Sequence, residues 1–233
     1  MKILDLFCCA GGASMGIHKA GFEVVGIDIE PQPEYPFEFI QKDVFSLDPK
    51  WIKDNFDGVW ASPKCQKFSM ATRKDQKNDE PNQIPGTREL LDKIGLPYVI
   101  ENVSNAPLRK DLLLCGEMFG LRVIRHRIFE IKGFKVPQIE HQKHKDPTDF
   151  PIEYWTKEKH GLIIEPIRID KQRSYYAQVA GHGADSYSYK LEDKQKAMGI
   201  EWITDTEHLN QAIPPAYSDY IFRMFPRTKG FSG

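Results

Sequence analysis

The first 130 residues alternate short apolar runs with helix-length segments, and this limits the chain to a mostly parallel sheet covered by helices. Ile3–Phe7 reads as the first strand, with Gly11-Gly12 as the turn behind it and Ser14–Ala20 as a helix stopped at Gly21. Glu23–Ile29 is the second strand and carries Asp28. Phe39–Gln41 is a third, leading to Asp43, and Gly58–Ala61 and Tyr98–Ile100 are the fourth and fifth. Helices fit at Trp51–Asn55, Thr87–Ile94 and Leu112–Phe119, and Leu121–Val123 with Ile128–Ile131 reads as a closing hairpin. The fold class is α/β, a doubly wound sheet. After Ile131 the pattern fades: residues 132–176 are rich in Lys, His, Pro and Glu and read as a small loop-rich insertion. A helix is expected around Lys190–Met198, and Pro214-Pro215 opens an apolar helix reaching about Phe225.

Composition narrows the setting. A chain of 233 residues, 40% of them hydrophobic, fits one core domain with a small appendage. A net charge of −1 does not announce a nucleic-acid binder, so such a function has to rest on local patches. Cys8, Cys9, Cys65 and Cys115 include no C-x-x-C pair, which suits a reducing compartment and argues against a structural zinc site. His141-Gln142-Lys143-His144 invites a metal reading, set aside because no cysteine or carboxylate stands at suitable spacing. No run approaches the roughly 20 apolar residues of a membrane span, and Asp5 interrupts any leader-like segment. The expectation is a soluble, cytoplasmic protein with no membrane partner.

Three places carry chemistry. The small-residue turn Cys8-Cys9-Ala10-Gly11-Gly12 lets backbone approach a ligand, and Asp28, some twenty residues on, suits ribose hydroxyls. The turn is not G-x-G-x-x-G, which favours a nucleoside cofactor without a pyrophosphate. Asp43 reads either as an acceptor for an exocyclic amine or as a loop cap. Ser62-Pro63-Lys64-Cys65-Gln66-Lys67 follows the fourth strand, where a thiol faces the ligand crevice of an open α/β sheet. Cys65 is either a half-buried structural cysteine or a nucleophile whose thiolate Lys64 and Lys67 favour. Arg73, Lys74 and Lys77 extend a basic stretch that either closes over phosphates or is a solvated loop. Arg125 and Arg127 alternate on one strand face, fit for a phosphate or base carbonyl or simply for solvent.

Asp5–Gly16, the Cys65-Gln66 loop, Glu101-Asn102-Val103, Arg125-His126-Arg127 and Gln211-Ala212-Ile213-Pro214-Pro215 resemble, in order, the motifs of DNA (cytosine-5) methyltransferases, closest to short phage and prophage forms. The resemblance covers the chain apart from residues 132–176. It implies a Rossmann-like core that uses S-adenosylmethionine, yields S-adenosylhomocysteine and needs no metal. Residues 1–131 and 194–233 would form the catalytic domain, and 132–193 a small target-recognition domain, in a monomer of a bacterial or phage-infected cell. The cofactor would lie against Phe7, Cys9, Gly11, Gly12, Asp28, Ile29, Asp43, Val44, Pro63, Gln211 and Ala212. Catalysis would fall to Cys65, Glu101, Arg125 and Arg127, and DNA contacts to Lys64, Gln66, Lys67, Ser69 and Asn102, with Asn102 bracing the loop. Five positions depart from the family pattern: Lys64 and Cys9 stand where it has Pro and Gly, Val123 where it has Gln, and Asn210-Gln211 where it has Gly-Asn.

The implied chemistry is thiolate addition at carbon 6 of cytosine, with Glu101 supporting the ring nitrogen beside the amino group. Three readings stand: methylation of DNA, the same chemistry on free deoxycytidylate, and a silent cofactor- or DNA-binding homologue in which Lys64 disables the site. The insertion offers Lys132, Lys135, His141, Lys143, His144 and Lys145 for phosphates, but only Gln138 and Gln142 as main readers of base edges. A recognition site of about two to four base pairs is expected.

Overall fold

The computed structural model describes residues 1–69, 79–141, 143–144, 153–159, 162–169, 179 and 190–227. Strands β1 (Lys2–Leu6), β2 (Glu23–Asp28), β3 (Glu38–Gln41), β4 (Gly58–Ala61) and β5 (Tyr98–Val103) run parallel; β6 (Leu112–Leu114) and β7 (Arg127–Lys132) complete one sheet, in the order β3-β2-β1-β4-β5-β7-β6. β7 lies antiparallel to both β5 and β6. The chain builds outward from β1 to β3, then returns to the other side of β1 to start β4. The carboxyl ends of β1 and β4 are therefore the switch point where such sheets open a crevice. Both segments singled out for chemistry, the turn after β1 and the loop after β4, leave from there.

Each parallel strand is apolar on both faces, as a sheet covered on both sides requires. Leu4, Leu6, Val25, Ile27 and Val59 pack with helices α2 (Pro49–Asn55) and α3 (Ile84–Ile94). Ile3, Val24, Trp60, Val99 and Phe129 pack on the opposite face with α1 (Gly12–Lys19) and the last helix. The late helices are α4 (Leu191–Met198), α5 (Thr206–Gln211) and α6 (Pro215–Arg223). Tyr217, Ile221 and Phe222 of α6 are fully buried; each contributes about 1.5–3 kcal/mol. A Cβ at Gly16 would lie 2.0 Å from Pro215 O, so glycine there lets α1 and α6 touch. No helix among the described residues is long and apolar enough to cross a membrane.

Three expectations are corrected. The helix expected over Leu112–Phe119 is instead β6 followed by a 3-10 turn, Gly116–Phe119, because Leu112, Leu113 and Leu114 pair with Phe129, Ile128 and Arg127; tertiary pairing overrides local propensity. The partner of β7 is thus β6 and not Leu121–Val123, whose Val123 is buried against Met198, Ile200 and Ile203. The insertion is not merely loop: β8 (Glu153–Lys159) and β9 (Leu162–Ile169) pair antiparallel as a separate ribbon.

Candidate active site

A cavity of about 790 Å³ opens at the switch point. One end is built by the turn after β1. Phe7 (φ 60°), Cys9 (φ 45°) and Gly11 (φ 81°) all adopt left-handed backbone, unusual for two non-glycine residues and a mark of a turn held by its surroundings. Asp28 holds it, its two oxygens accepting from Cys9 N at 3.0 Å and Glu30 N at 3.1 Å. A Cβ on Gly12 would lie 2.4 Å from Ile213 O, so only glycine lets α1 start against the 212–213 backbone and bring Gln211 and Ala212 to the cavity wall. Phe7, Cys9, Gly12, Asp28, Ile29, Asp43, Val44, Pro63, Gln211 and Ala212 line the cavity; Gly11 does not, and serves as the N-cap of α1. Ile29 lies 56% exposed at this end. Asp43 is exposed and accepts from Phe45 N at 3.0 Å, capping the short 3-10 turn Val44–Ser46.

The other end gathers Cys65, Glu101, Arg125 and Arg127 from three separate segments. β5 runs past the expected Ile100 to Val103 because β7 pairs with it, so Glu101 sits inside a strand opposite Phe129. Its buried carboxyl forms an ion pair through Oε1 with Arg127 Nε at 2.8 Å, and the Ser62 side chain also hydrogen-bonds to it. Burial raises the Glu101 pKa, with Arg127 and Arg125 opposing. The buried Arg125 guanidinium donates to Val179 O at 3.0 Å and Asn210 O at 2.7 Å, while its Nε has no partner. Tyr217 OH donates to Arg125 O at 2.7 Å and anchors the segment to α6.

The loop after β4 is fixed at both sides of its Pro63-Lys64 bond. Asn102 Nδ2 donates to Pro63 O at 2.9 Å, and Lys64 N donates to Gln83 Oε1 at 3.0 Å. Asn102 is fully buried, its carbonyl accepts from Val103 N, and it lies off the cavity wall, where it braces the loop. Two expectations about charge are corrected. Burial raises the Cys65 pKa, and the cations opposing this are Arg127 and Arg125, not Lys64 or Lys67. Lys64 is exposed, and Lys67 lies off the cavity wall, its Nζ donating to Glu80 O at 3.2 Å. Lys64, Gln66 and Ser69 line the mouth. Arg73, Lys74 and Lys77 lie outside the described residues.

One pattern was invisible in the sequence. Among the described residues, the buried side-chain polar atoms with neither a hydrogen bond nor an ion pair are Asp5 Oδ1, Gln32 Oε1, Gln66 Oε1, Arg125 Nε and Asn210 Oδ1. All five residues line this one cavity. Buried polar groups are nearly always satisfied, and each that is not costs about 1–3 kcal/mol. A cavity that concentrates them is a surface waiting for a polar ligand. Asp5, Gln32 and Asn210 were not expected as site residues, although Asp5 lies inside the first motif and Asn210 at a departure from the family pattern.

The fold and site together define an α/β protein whose switch-point cavity joins the turn after β1 to a thiol, carboxyl and guanidinium centre. The family model for C-5 cytosine-specific DNA methylase matches residues 1–107. The type II methyltransferase M.HgiGI of Herpetosiphon aurantiacus is 30% identical over 122 residues, which are 47% of this chain and 96% of that protein. M.DdeI of Desulfomicrobium norvegicum is 34% identical over 89 residues, 34% of this chain and 21% of that one. A solved DNMT2 variant of Spodoptera frugiperda superposes with a TM-score of 0.61 at 16% identity, covering 96% of this chain and 99% of that one, a likeness of fold. The chain belongs to the C-5 cytosine-specific DNA methylase family. It spans 21% to 58% of the length of three longer curated relatives, M.DdeI among them.

Proposed function

We propose that the protein transfers a methyl group from S-adenosylmethionine to carbon 5 of cytosine in DNA through a covalent adduct with Cys65. The observation that carries this reading is the convergence of Cys65, Glu101, Arg125 and Arg127 on the cavity that also holds five partnerless polar atoms. The residues at the other end fit the cofactor. Asp28 keeps acceptor capacity for ribose hydroxyls, exposed Ile29 and half-buried Phe7 offer apolar surface to a purine, and the open Asp5 oxygen suits a cationic group. When bound, S-adenosylmethionine supplies an electrophilic methyl group.

The chain's own residues supply the rest. Cys65 sulfur, as thiolate, adds to carbon 6 and makes carbon 5 nucleophilic; once carbon 5 carries the methyl group, its proton is lost to solvent and the carbon–sulfur bond breaks, returning the thiolate. Glu101, whose pKa burial raises, holds a proton toward the adjacent ring nitrogen and stabilises the adduct as charge develops there. Arg127 and Arg125 place positive charge beside the sulfur and favour its ionised form. A base inside a duplex is out of reach of this recess, so it enters flipped or single-stranded.

Residues 1–131 and 194–233 form the catalytic unit in this reading, and 132–193 read the target. Gln138 is unavailable for base edges: its amide donates to Leu113 O at 2.9 Å and accepts from Leu113 N at 3.0 Å. Losing one of the few base-reading side chains favours a short site of about two to four base pairs. Transfer of tritiated methyl from S-adenosylmethionine to DNA, and covalent trapping on DNA containing 5-fluorocytosine, test the proposal. Cys65→Ser should abolish trapping while keeping cofactor affinity. Label on deoxycytidylate alone would move the substrate to the free nucleotide, and label on neither would sink the catalytic reading.

A further inference from the structure

The histidine pair His141 and His144 does not stand alone in three dimensions. His126 Nε2 lies 3.0 Å from His141 Nε2 and 3.2 Å from His144 Nε2, and Cys115 Sγ lies 3.9 Å from His144 Nε2. The four donor atoms are all within 4.8 Å of one another. The pair's partners are not its neighbours along the chain. They arrive instead from the end of β6 and the start of β7, two edges the fold brings together.

A hydrogen-bonded cluster explains these contacts poorly. A neutral imidazole has one N–H, and Glu117 faces His144 Nδ1, which places that ring's proton away from Nε2. His126 Nε2 can then give a single proton toward two neighbours. A cation removes the conflict by taking all the lone pairs. Tetrahedral zinc, with Zn–N about 2.0–2.1 Å and Zn–S about 2.3 Å, sets ligand atoms about 3.3–3.6 Å apart; three of the six separations, 3.0, 3.2 and 3.9 Å, straddle these values, and none exceeds 4.8 Å. Glu117 behind His144 is the carboxylate–histidine arrangement that fixes a ligand's tautomer.

We propose that Cys115, His126, His141 and His144 bind one zinc ion as a structural site. Three nitrogens and one thiolate select zinc over hard cations, and four protein ligands leave no open position for chemistry. The ion would tie the root of the inserted segment to the sheet edge. It would also clamp His126, which stands between Arg125 and Arg127, and so hold both guanidiniums in register with Cys65.

The test uses the full chain, purified without a histidine tag. Elemental analysis should find about one zinc per chain after gel filtration, and chelation should lower the melting temperature reversibly. Cobalt added to the stripped protein should give red tetrahedral d–d bands and a near-ultraviolet sulfur-to-cobalt band. Cys115→Ser should lose the sulfur band and Cys65→Ser should keep it, while His144→Ala should fail to retain zinc. If a variant does not fold, the wild-type spectrum and the chelation melt decide alone. No stoichiometric metal with a melt indifferent to chelator, or a sulfur band that survives Cys115→Ser, would overturn the proposal.

Discussion

Asp5 offers the sharpest test of how the cavity is built. It is buried, accepts from Ser14 Oγ through one oxygen and leaves the other without a partner. Burial first, with Asp28 and Glu101 adding to it against the Ser14 hydroxyl, pushes its pKa up from 3.8 to about 7. A carboxyl raised in this way binds its proton more tightly in the folded state. Its contribution to stability is full below about pH 4 and is lost as pH rises toward about 7. The whole loss is about 4 kcal/mol, of which about 2–3 kcal/mol falls between pH 5 and pH 8. Asp5→Asn keeps an acceptor for Ser14 and cannot titrate. Urea unfolding at pH 5 and pH 8 should therefore show wild type losing about 2–3 kcal/mol more than the variant, every other titrating group being common to both. Parallel pH curves would refute the reasoning. The same carboxyl should ionise when a cationic cofactor enters, so calorimetry near pH 6 in buffers of different ionisation enthalpy should detect proton release from wild type and not from Asp5→Asn.

Asp28→Ala should weaken S-adenosylmethionine binding by about 1.5–3 kcal/mol, roughly ten- to a hundredfold, measured by calorimetry; an unchanged affinity would misplace the ribose. Glu101→Gln should lower methyl transfer by about 10²–10⁴ with DNA binding retained, since an amide cannot deliver the proton; a near-normal rate in a single-turnover assay would assign the proton elsewhere. Lys64→Pro should lower turnover and cost about 1 kcal/mol of stability, because the backbone donor to Gln83 is lost; turnover above the parent would instead make Lys64 an inhibitory substitution.

How much of this was legible depended on whether a residue's partner lay nearby in the chain. β1, β2 and β4 were readable because each is a short apolar run bounded by turn residues, and Asp28 because its spacing from the glycine turn is a local property of a strand–helix–strand unit. β6 was misread because three leucines carry no period of their own and take their structure from β7. Glu101 lines the cavity as expected, but inside a strand rather than at its end, since pairing with β7 extends β5 that far. The cations beside Cys65 were misjudged for the same reason. Lys64 and Lys67 are neighbours in sequence, whereas Arg125 and Arg127 are neighbours in space. Residues 145–152 and 180–189, within the region expected to choose the target, lie outside the described residues.

The departures from the family pattern fall where other residues perform the missing task. Proline before the nucleophile would set the loop by restricting the backbone, and a lysine there forfeits that restriction. It also regains a backbone N–H, and the structure uses it: Gln83 holds the Lys64 side of the bond while Asn102 holds the Pro63 side, so Cys65 follows a backbone pinned by two hydrogen bonds. Cys9 stands where a glycine would adopt φ 45° without strain, and its N–H is held by Asp28, the carboxylate that would also meet the ribose. The strain at Cys9, of order 1 kcal/mol, is small beside a charge-assisted hydrogen bond and a turn buried between α1 and the 212–213 backbone. Both substitutions thus move a constraint from the residue itself to a partner across the cavity. That arrangement makes Gln83 and Asn102 as necessary to the position of Cys65 as a proline would have been, and it leaves the exposed Lys64 side chain free at the mouth where a phosphate would pass.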